Sequence, residues 1–334
     1  MSPYGVALKR LRAIALLVAV VAVLAISGEA IINRQLPATH SIYRSTDNGA
    51  SWIGVGDGLP SGARVNAFAS ISGRIVAGTD RGVFLSDDEG DSWRASADAI
   101  AGEARILCLA TLGNQTFAGS HRRGVLVSGD AGQTWKTANV GLTDLHIRSL
   151  LSVDRHVYAG SDNQGVFVSR DSGATWARQS DGLPPLSQVF DLARLNNAVY
   201  AALYHHGVYQ WRPDDKLWRR VGDVVPLELT VSGGTLIAGH NPGAVHYSDD
   251  NCETWFAASG LTSDAPVWTL ASDNRRAFVG ATVKTNDEIV CCFLSEDQGH
   301  TWRRRDAGLP RNAAPICFLV ENDFILTCVC IGVE

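Results

Sequence analysis

The feature that most constrains this chain is an eight-residue motif that occurs six times. Its pattern is Ser-x-Asp-x-Gly-x-Ser/Thr-Trp, and in one copy a cysteine replaces the glycine. The copies are STDNGASW (45–52), SDDEGDSW (86–93), SGDAGQTW (128–135), SRDSGATW (169–176), SDDNCETW (248–255) and SEDQGHTW (295–302). A catalytic group is needed once in a molecule, whereas this motif returns about every 42 residues, as the units of repeat architectures do. We therefore interpret it as a structural element.

Each repeat contains short runs that predict antiparallel strands. In residues 64–96 the runs VNAFASI, IVAGT and VFLS are separated by turns that contain glycine, serine or aspartate. Such a pattern is typical of β-hairpins, and the tryptophan of the motif begins a fourth run. Four strands about every 42 residues predict an all-β propeller built from four-stranded antiparallel blades.

The two ends of the chain predict how the propeller closes. The first motif is preceded by a single run, HSIYRS, so the first repeat contains only a third and a fourth strand. The last motif is followed by two runs only, within Pro315–Val320 and Phe324–Ile331. Two half blades make one complete blade. We therefore predict seven blades over residues 36–334, one of which pairs the N-terminal strands with the C-terminal strands.

The polar residues of the motif are expected to satisfy one another inside the turn between the third and fourth strands. The aspartate accepts backbone N–H bonds, the glycine supplies a positive φ, and the serine or threonine bonds back to the aspartate. The tryptophan buries its ring between blades. The structural residues assigned in this way are Asp47, Asp88, Asp130, Asp171, Asp250, Asp297, Trp52, Trp93, Trp135, Trp176, Trp255 and Trp302.

Two copies depart from the pattern. In the eroded copy WRPDDKLW (211–218), Trp211, Pro213, Asp215 and Leu217 stand where serine, aspartate, glycine and threonine belong, so we expect a turn of different construction. In SDDNCETW, Cys252 stands in the place of the glycine. A cysteine there should strain the turn or change its type.

The motif resembles the Asp-box, or BNR, repeat of sialidases, sortilin-type receptors, xyloglucan-cleaving glycosidases and the photosystem II stability and assembly factors. The resemblance covers roughly residues 40–334. Sialidases of this class have six blades and sortilin has ten, whereas seven blades with a Gly-Leu-Pro tail after the tryptophan are closest to the assembly-factor type. The resemblance implies the blade type and leaves the activity open, because one fold hosts many functions.

The N-terminal residues are expected to lie outside the propeller. Lys9, Arg10 and Arg12 precede the apolar run AIALLVAVVAVLAI (13–26). A basic segment before an apolar run is typical of a signal peptide, and Ile31 and Ile32 could extend the run into a membrane anchor. We therefore predict that residues 1–35 form a signal peptide or an anchor with a short linker. The rest would be extracytoplasmic, in the periplasm or at the cell surface.

Composition limits the partners and cofactors. The net charge is −5 and both signs are mixed along the chain, which argues against a nucleic-acid partner because such partners need a basic face. Seven cysteines are present without paired Cys-x-x-Cys units, so a zinc site formed by cysteines is not indicated. Buried free thiols and one or two disulfide bonds both remain open. We expect a monomer with no cofactor.

Candidate functional residues lie in the turns between second and third strands and in the links between blades, which share one rim around the channel mouth. Loops on one rim carry specificity in such scaffolds. Candidates for binding an acidic peptide, a carboxylated sugar or a C-terminal carboxylate are Arg64, Arg81, Arg105, His121, Arg122, Arg123, Arg148, His205, His206 and His240. His205, His206 and His240 come from adjacent blades and could share a metal. Exposed histidines in turns usually do not, so we assign no metal site.

Two functions remain open from the sequence. The first is a non-catalytic, membrane-tethered propeller that binds a protein or peptide. The second is an extracytoplasmic glycoside hydrolase, sialidase-like or glucan-cleaving, which needs two carboxylates about 5–10 Å apart. Rim carboxylates for that role are Asp80, Glu103, Asp144, Asp162, Asp287 and Glu288. The sialidase type also implies an Arg-Ile-Pro element before the first motif, and NRQLPATHSIYR does not match it. The sequence therefore favours binding over hydrolysis.

Overall fold

Seven four-stranded antiparallel sheets make up the fold of the computed structural model, which describes residues 40–240, 243–262, 265–284 and 289–331. Blade 1 begins with β1 (His40–Ser45) and β2 (Ile53–Val55). Blade 2 contains β3 (Val65–Ile71), β4 (Arg74–Thr79), β5 (Gly82–Ser86) and β6 (Arg94–Ala95). The short helix α1 (Ala99–Gly102) follows. Blade 3 contains β7 (Ile106–Leu112), β8 (Gln115–Ser120), β9 (Val125–Ser128) and β10 (Lys136–Thr137).

The remaining blades follow in chain order. Blade 4 contains β11 (Ile147–Val153), β12 (His156–Ser161), β13 (Val166–Ser169) and β14 (Ala177–Arg178). Blade 5 contains β15 (Val189–Leu195), β16 (Ala198–Leu203), β17 (Gly207–Arg212) and β18 (Leu217–Gly222). Blade 6 contains β19 (Glu228–Ser232), β20 (Thr235–Gly239), β21 (Val245–Ser248) and β22 (Phe256–Ala257). Blade 7 contains β23 (Val267–Ser272), β24 (Ala277–Lys284), β25 (Ile289–Ser295) and β26 (Arg303–Arg304), and β27 (Ala313–Val320) and β28 (Ile325–Ile331) complete blade 1.

The seven sheets form a closed ring in which the first strand of each blade lies innermost. Each first strand contacts the first strand of the next blade, and β27 contacts both β23 and β3, so the circuit has no gap. The apolar cores lie between neighbouring blades. One of them joins Val76 and Leu85 of blade 2 to Ile106, Leu126 and Trp135 of blade 3. A blade buries its faces only against its neighbours, which explains why the chain needs all seven.

The predicted closure is confirmed. The order of strands in blade 1 is β2–β1–β28–β27, with the N-terminal β1 antiparallel to the C-terminal β28. All six residues of β1 have partners, and Ile42 lies opposite Cys328. Both side chains are buried, at 2% and 1% exposure. The ends of the propeller are therefore joined by a strand ladder and by a shared core.

The motif forms the hydrogen-bonded turn that the sequence predicts. In blade 2 the Ser86 hydroxyl accepts the Gly90 N–H at 2.9 Å and donates to Asp88 at 2.8 Å. Asp88 also accepts the N–H of Ser92 at 2.9 Å and its hydroxyl at 2.5 Å. These bonds to Ser92 lower the pKa of Asp88, although the carboxylate is exposed. The same arrangement surrounds Asp47, Asp130, Asp171, Asp250 and Asp297.

Five of the six predicted tryptophans are buried between blades, and Trp255 is the exception. Trp52, Trp93, Trp135, Trp176 and Trp302 are 3–5% exposed, and each indole N–H donates to a backbone carbonyl. Trp255 is only partly buried, and its indole N–H has no partner. Its ring faces Gly222 of blade 5. Gly222 ends β18, a six-residue strand, whereas the outer strands of blades 4 and 6 have two residues each.

The two departures from the motif have different outcomes. Blade 5 lacks the polar turn, as predicted, and continues β17 into β18 through a hairpin that pairs Trp211 with Trp218. At Cys252 the turn keeps its type, because this residue adopts the positive φ of the glycine, 71°, and its N–H still bonds to Ser248 at 2.9 Å. Of the two outcomes expected for the cysteine, backbone strain is therefore the one observed. The thiol is buried against the Tyr200 hydroxyl of blade 5. In blade 4, by contrast, a Cβ on Gly173 would lie 2.7 Å from the Phe117 ring.

All seven cysteines are free thiols, which decides between the alternatives that the sequence left open. Six are buried, and Cys108 is partly buried. Burial raises the pKa of Cys252 and Cys291 to about 12.

The predicted signal peptide or anchor and its boundary at residue 35 lie outside the described residues. No helix within residues 40–331, where the structure describes them, is long and apolar enough to cross a membrane.

Replacing Ser86 with alanine tests the structural role of the motif. The change removes the acceptor of the buried Gly90 N–H, so we expect the free energy of unfolding to fall by about 1–3 kcal/mol. The control is Asp87→Ala, which removes an exposed carboxylate paired with Arg74 and Arg94 and should cost less than about 1 kcal/mol. Urea denaturation measures both. Equal losses for the two variants would contradict the assignment.

Candidate functional site

Three arginines from successive blades lie side by side at the channel mouth, and we call Arg64, Arg105 and Arg148 the arginine cluster. Arg64 and Arg105 immediately precede the inner strands β3 and β7, and Arg148 is the second residue of β11. Their proximity shows in electrostatics, since burial and the charges of the other two arginines lower the pKa of Arg105. The Nε atoms of Arg64 and Arg105 are buried and have no hydrogen-bond partner. Three cationic side chains therefore lie close together at this rim.

Arg148 is held by its neighbours. It lies in a β-bulge at the start of β11, a device that redirects side chains at sheet ends. Its Nε donates to Asp162. Its guanidinium lies 4.7 Å from the centroid of the Phe190 ring, and Phe190 stacks on Tyr204 at 5.0 Å. This aromatic pair extends the arginine cluster toward blade 5 with an apolar surface.

Two histidines join the arginine cluster without adding charge at neutral pH. The rings of His121 and His146 meet edge to face at 4.3 Å. Burial lowers the pKa of His121, and the charges of Arg105 and Arg148 lower it further. Burial lowers the pKa of His146 to about 4, although Asp162, 3.5 Å away, opposes the shift. Both rings therefore present neutral hydrogen-bonding groups beside the arginines.

The other predicted residues are dispersed. His205 is exposed, with its ring 3.8 Å from that of Tyr204, and His206 is exposed beside it. His240 packs against His246 at 4.7 Å, and its Nδ1 lies 3.2 Å from the Val225 carbonyl. Burial lowers the pKa of His240 to about 4. Among the described residues, no three His, Cys, Asp or Glu side chains are arranged to hold a metal.

The exposed turn arginines differ in their surroundings. Arg123 forms an ion pair with Glu103 at 2.9 Å, with 42% of its side chain exposed. Arg122 lies close enough to lower the pKa of His121 through its charge. Arg81 is exposed in the turn between β4 and β5. These three residues surround the arginine cluster as an outer basic margin.

The rim carboxylates proposed for hydrolysis are engaged in structural bonds. Asp80 accepts the N–H of Arg64 at 2.9 Å. Asp144 accepts the N–H groups of His146 at 2.9 Å and Asn163 at 2.8 Å. Glu103 and Asp162 pair with Arg123 and Arg148, as described above. Asp287 and Glu288 lie outside the described residues. The four described candidates therefore order turns and arginines.

Sequence reasoning missed the aromatic pair Phe190–Tyr204 and two channel carboxylates, Asp191 and Glu228. Asp191 accepts the N–H groups of Leu192 and Leu229, both at 2.8 Å. Burial raises the pKa of Asp191 to about 7, and burial and the charge of Asp191 raise that of Glu228. The sequence did contain one signal for Phe190 and Asp191. They follow the first residue of β15 in the same way as Arg148 and Ser149 follow the first residue of β11, so Phe190 holds the position that Arg148 has in blade 4.

Comparison with known proteins identifies the fold. No family model matches the chain, and no curated protein matches it. Among solved structures, a structure of YCF48 bound to D1 peptide has a TM-score of 0.61 and 16% identity, covering 82% of this chain and 95% of that one. YCF48 from Cyanidioschyzon merolae has a TM-score of 0.62 and 13% identity, covering 82% and 97%.

The expected resemblance to propellers of the photosystem II assembly-factor type is therefore confirmed at the level of the fold. A third similar structure, an ancestral GH74 enzyme, has a TM-score of 0.54 and 17% identity, covering 84% of this chain and 45% of that one. The fold thus occurs both in a protein with a bound peptide and in an enzyme, so the site must decide between the two.

Proposed function

We propose that this chain is a non-catalytic propeller that binds a protein or peptide partner through an acidic side chain or a C-terminal carboxylate. The observation that carries the proposal is the arginine cluster, in which the buried Nε atoms of Arg64 and Arg105 lack acceptors. Buried donors without partners are costly, and a carboxylate satisfies two arginine N–H groups at once. An anionic group of the partner would relieve both the unpaired donors and the repulsion among the three guanidinium groups.

The surroundings of the arginine cluster suit a peptide. The stacked rings of Phe190 and Tyr204 offer an apolar surface beside Arg148, and aromatic and arginine side chains are enriched where proteins bind partners. His121 and His146, neutral at pH 7, can donate and accept hydrogen bonds with a peptide backbone. The peptide-bound YCF48 structure supports the proposal, because a similar propeller accommodates such a ligand.

The geometry favours binding over glycoside hydrolysis. A hydrolase needs two carboxylates facing each other across a cleft, one of them with a raised pKa. Asp80 and Asp144 each hold backbone N–H groups, while Glu103 and Asp162 hold arginines. The carboxylates with raised pKa, Asp191 and Glu228, belong to inner strands, and Asp191 bonds to the inner strand of the neighbouring blade.

Peptide binding provides the first test. We expect acidic peptides with a free C-terminal carboxylate to bind, with affinity that falls as salt rises. Arg105→Ala should weaken the best peptide at least tenfold, because hydrogen bonds to charged groups contribute about 1.5–3 kcal/mol. The matched control is Arg94→Ala, on the outer strand β6. It removes an exposed arginine that pairs with Asp87. Fluorescence anisotropy measures each affinity.

Two results would contradict the site. One is unchanged peptide affinity in both Arg64→Ala and Arg105→Ala. The other is equal loss in Arg105→Ala and Arg94→Ala, since a general charge effect would then explain the binding.

The same proposal includes a location. We infer that the propeller is extracytoplasmic and tethered to the membrane, because basic residues precede the apolar run 13–26. Fractionation of cells that produce the full chain or residues 36–334 tests the tether. The full chain should sediment with membranes and the shorter chain should not. Release of both into the soluble fraction would exclude the tether.

A further inference from the structure

The three members of the arginine cluster differ in whether the protein itself supplies an anion. The Arg148 Nε donates to the carboxylate of Asp162, and each of these two side chains is 17% exposed. Arg64 and Arg105 form no ion pair with any residue that the structure describes, and their buried Nε atoms lack acceptors. One guanidinium group of the cluster is therefore already neutralised, and two are not.

Asp162 is fixed beside Arg148 by contacts from two neighbouring links. Its backbone N–H donates to the carbonyl of His146, which directly precedes β11, at 3.1 Å. The His146 Nδ1 lies 3.5 Å from the Asp162 Oδ2. Gln188, which directly precedes β15, donates from its Nε2 to the Asp162 Oδ1 at 3.4 Å. Three side chains therefore hold this carboxylate in one position.

Arg148 is confined as well. Besides its pair with Asp162, its guanidinium lies 4.7 Å from the centroid of the Phe190 ring. Turning Arg148 toward a ligand would break the pair and leave the charge of Asp162 without its cation, and separating a partly buried ion pair in this way is costly. Arg148 is thus less available to an incoming anion than Arg64 and Arg105 are.

We propose that Asp162 determines the specificity of the peptide site, as an internal carboxylate that limits the partner to a single carboxylate at Arg64 and Arg105. The inference rests on the proposed function, because it concerns the same site. A peptide that ends in aspartate or glutamate brings a second carboxylate close to the first. That group would find Arg148 occupied and would face the like charge of Asp162, which discriminates against it.

Two peptides that differ in one group test this selectivity. Both are fluorescent hexapeptides with a free C-terminal carboxylate, and the last residue is glutamine in one and glutamate in the other. Fluorescence anisotropy gives their affinities for the full chain in detergent. For the wild type we expect the glutamate peptide to bind no more than about threefold more tightly, since an exposed charge without a firm partner contributes little.

Asp162→Asn should change this ratio. The variant frees Arg148 to bind the second carboxylate, so the ratio should shift toward the glutamate peptide by at least about tenfold, as a charge-assisted hydrogen bond to arginine would produce. The matched control is Glu103→Gln, which removes a rim carboxylate that pairs with the exposed Arg123. It should alter both affinities by the same factor and leave their ratio unchanged.

The double variant Asp162→Asn with Arg148→Gln separates the pair from a general charge effect. It removes both charges together, so neither is left unpaired, and the ratio should return to that of the wild type. This variant also keeps the test decisive if Asp162→Asn alone does not fold. Its affinity for the glutamine peptide should stay within about threefold of the wild type, because Arg148 is already occupied there. A loss of tenfold or more would show that Arg148 itself binds the carboxylate, which overturns the proposal.

The remaining outcomes distinguish this inference from the proposed function. If neither peptide binds to the wild-type chain, the proposed function fails and this inference fails with it. If the peptides bind and Asp162→Asn leaves their ratio unchanged, or Glu103→Gln changes the ratio equally, the role of Asp162 is overturned and the peptide site stands.

Discussion

The contact between the inner strands of neighbouring blades is the constraint on which the rest of this structure depends. Side chains of one inner strand bond to the backbone of the next, as Asn66 does to the Ile106 carbonyl at 2.7 Å and Asp191 to the Leu229 N–H at 2.8 Å. Where the ring closes, the Cys317 thiol approaches the Val65 carbonyl at 3.5 Å. Apolar cores between blades add the hydrophobic stabilisation, so each blade depends on both neighbours.

This geometry explains why charged residues far apart in sequence act together. Arg64, Arg105 and Arg148 each stand at the beginning of an inner strand, and the ring brings successive beginnings to one rim. Closure by β1 and β28 fixes the ring, so the guanidinium groups cannot separate to relieve their repulsion. The proposed anionic group would bind a preorganised cationic site of this kind at a smaller ordering cost than a mobile one. The fold supplies the proximity, and the local sequence supplies the charge.

The repeat motif was sufficient to predict the blades, their number and their closure, because its bonds are local. Ser86, Asp88 and Ser92 lie within seven residues of one another, and such turn chemistry can be recognised in sequence. Only part of the arginine cluster follows the repeat. Arg64 and Arg105 hold the same place, immediately before an inner strand, whereas Arg148 lies in the bulge at the start of β11.

Contacts between blades were not predictable in the same way. Phe190 meets Arg148 of the neighbouring blade, and the thiol of Cys252 lies against the Tyr200 hydroxyl of blade 5. The His240 ring packs against the His246 ring and not against His205. Burial determines which ring a histidine contacts, and burial cannot be read from the sequence of a turn. In blade 5 the sequence indicated where the polar turn is missing, but it did not indicate the hairpin that pairs Trp211 with Trp218 in its place.

Joining the first and last strands covalently would test the closed ring most directly. Ile42 lies opposite the native Cys328 across the β1–β28 ladder, at a spacing that suits a disulfide bond. Under mild oxidation Ile42→Cys should form a cross-link to Cys328, identified by mass spectrometry. Ile53→Cys, on the exposed side of β2, should form none with Cys328. Absence of the first cross-link, or its formation only after partial unfolding, would contradict closure by the two ends of the chain.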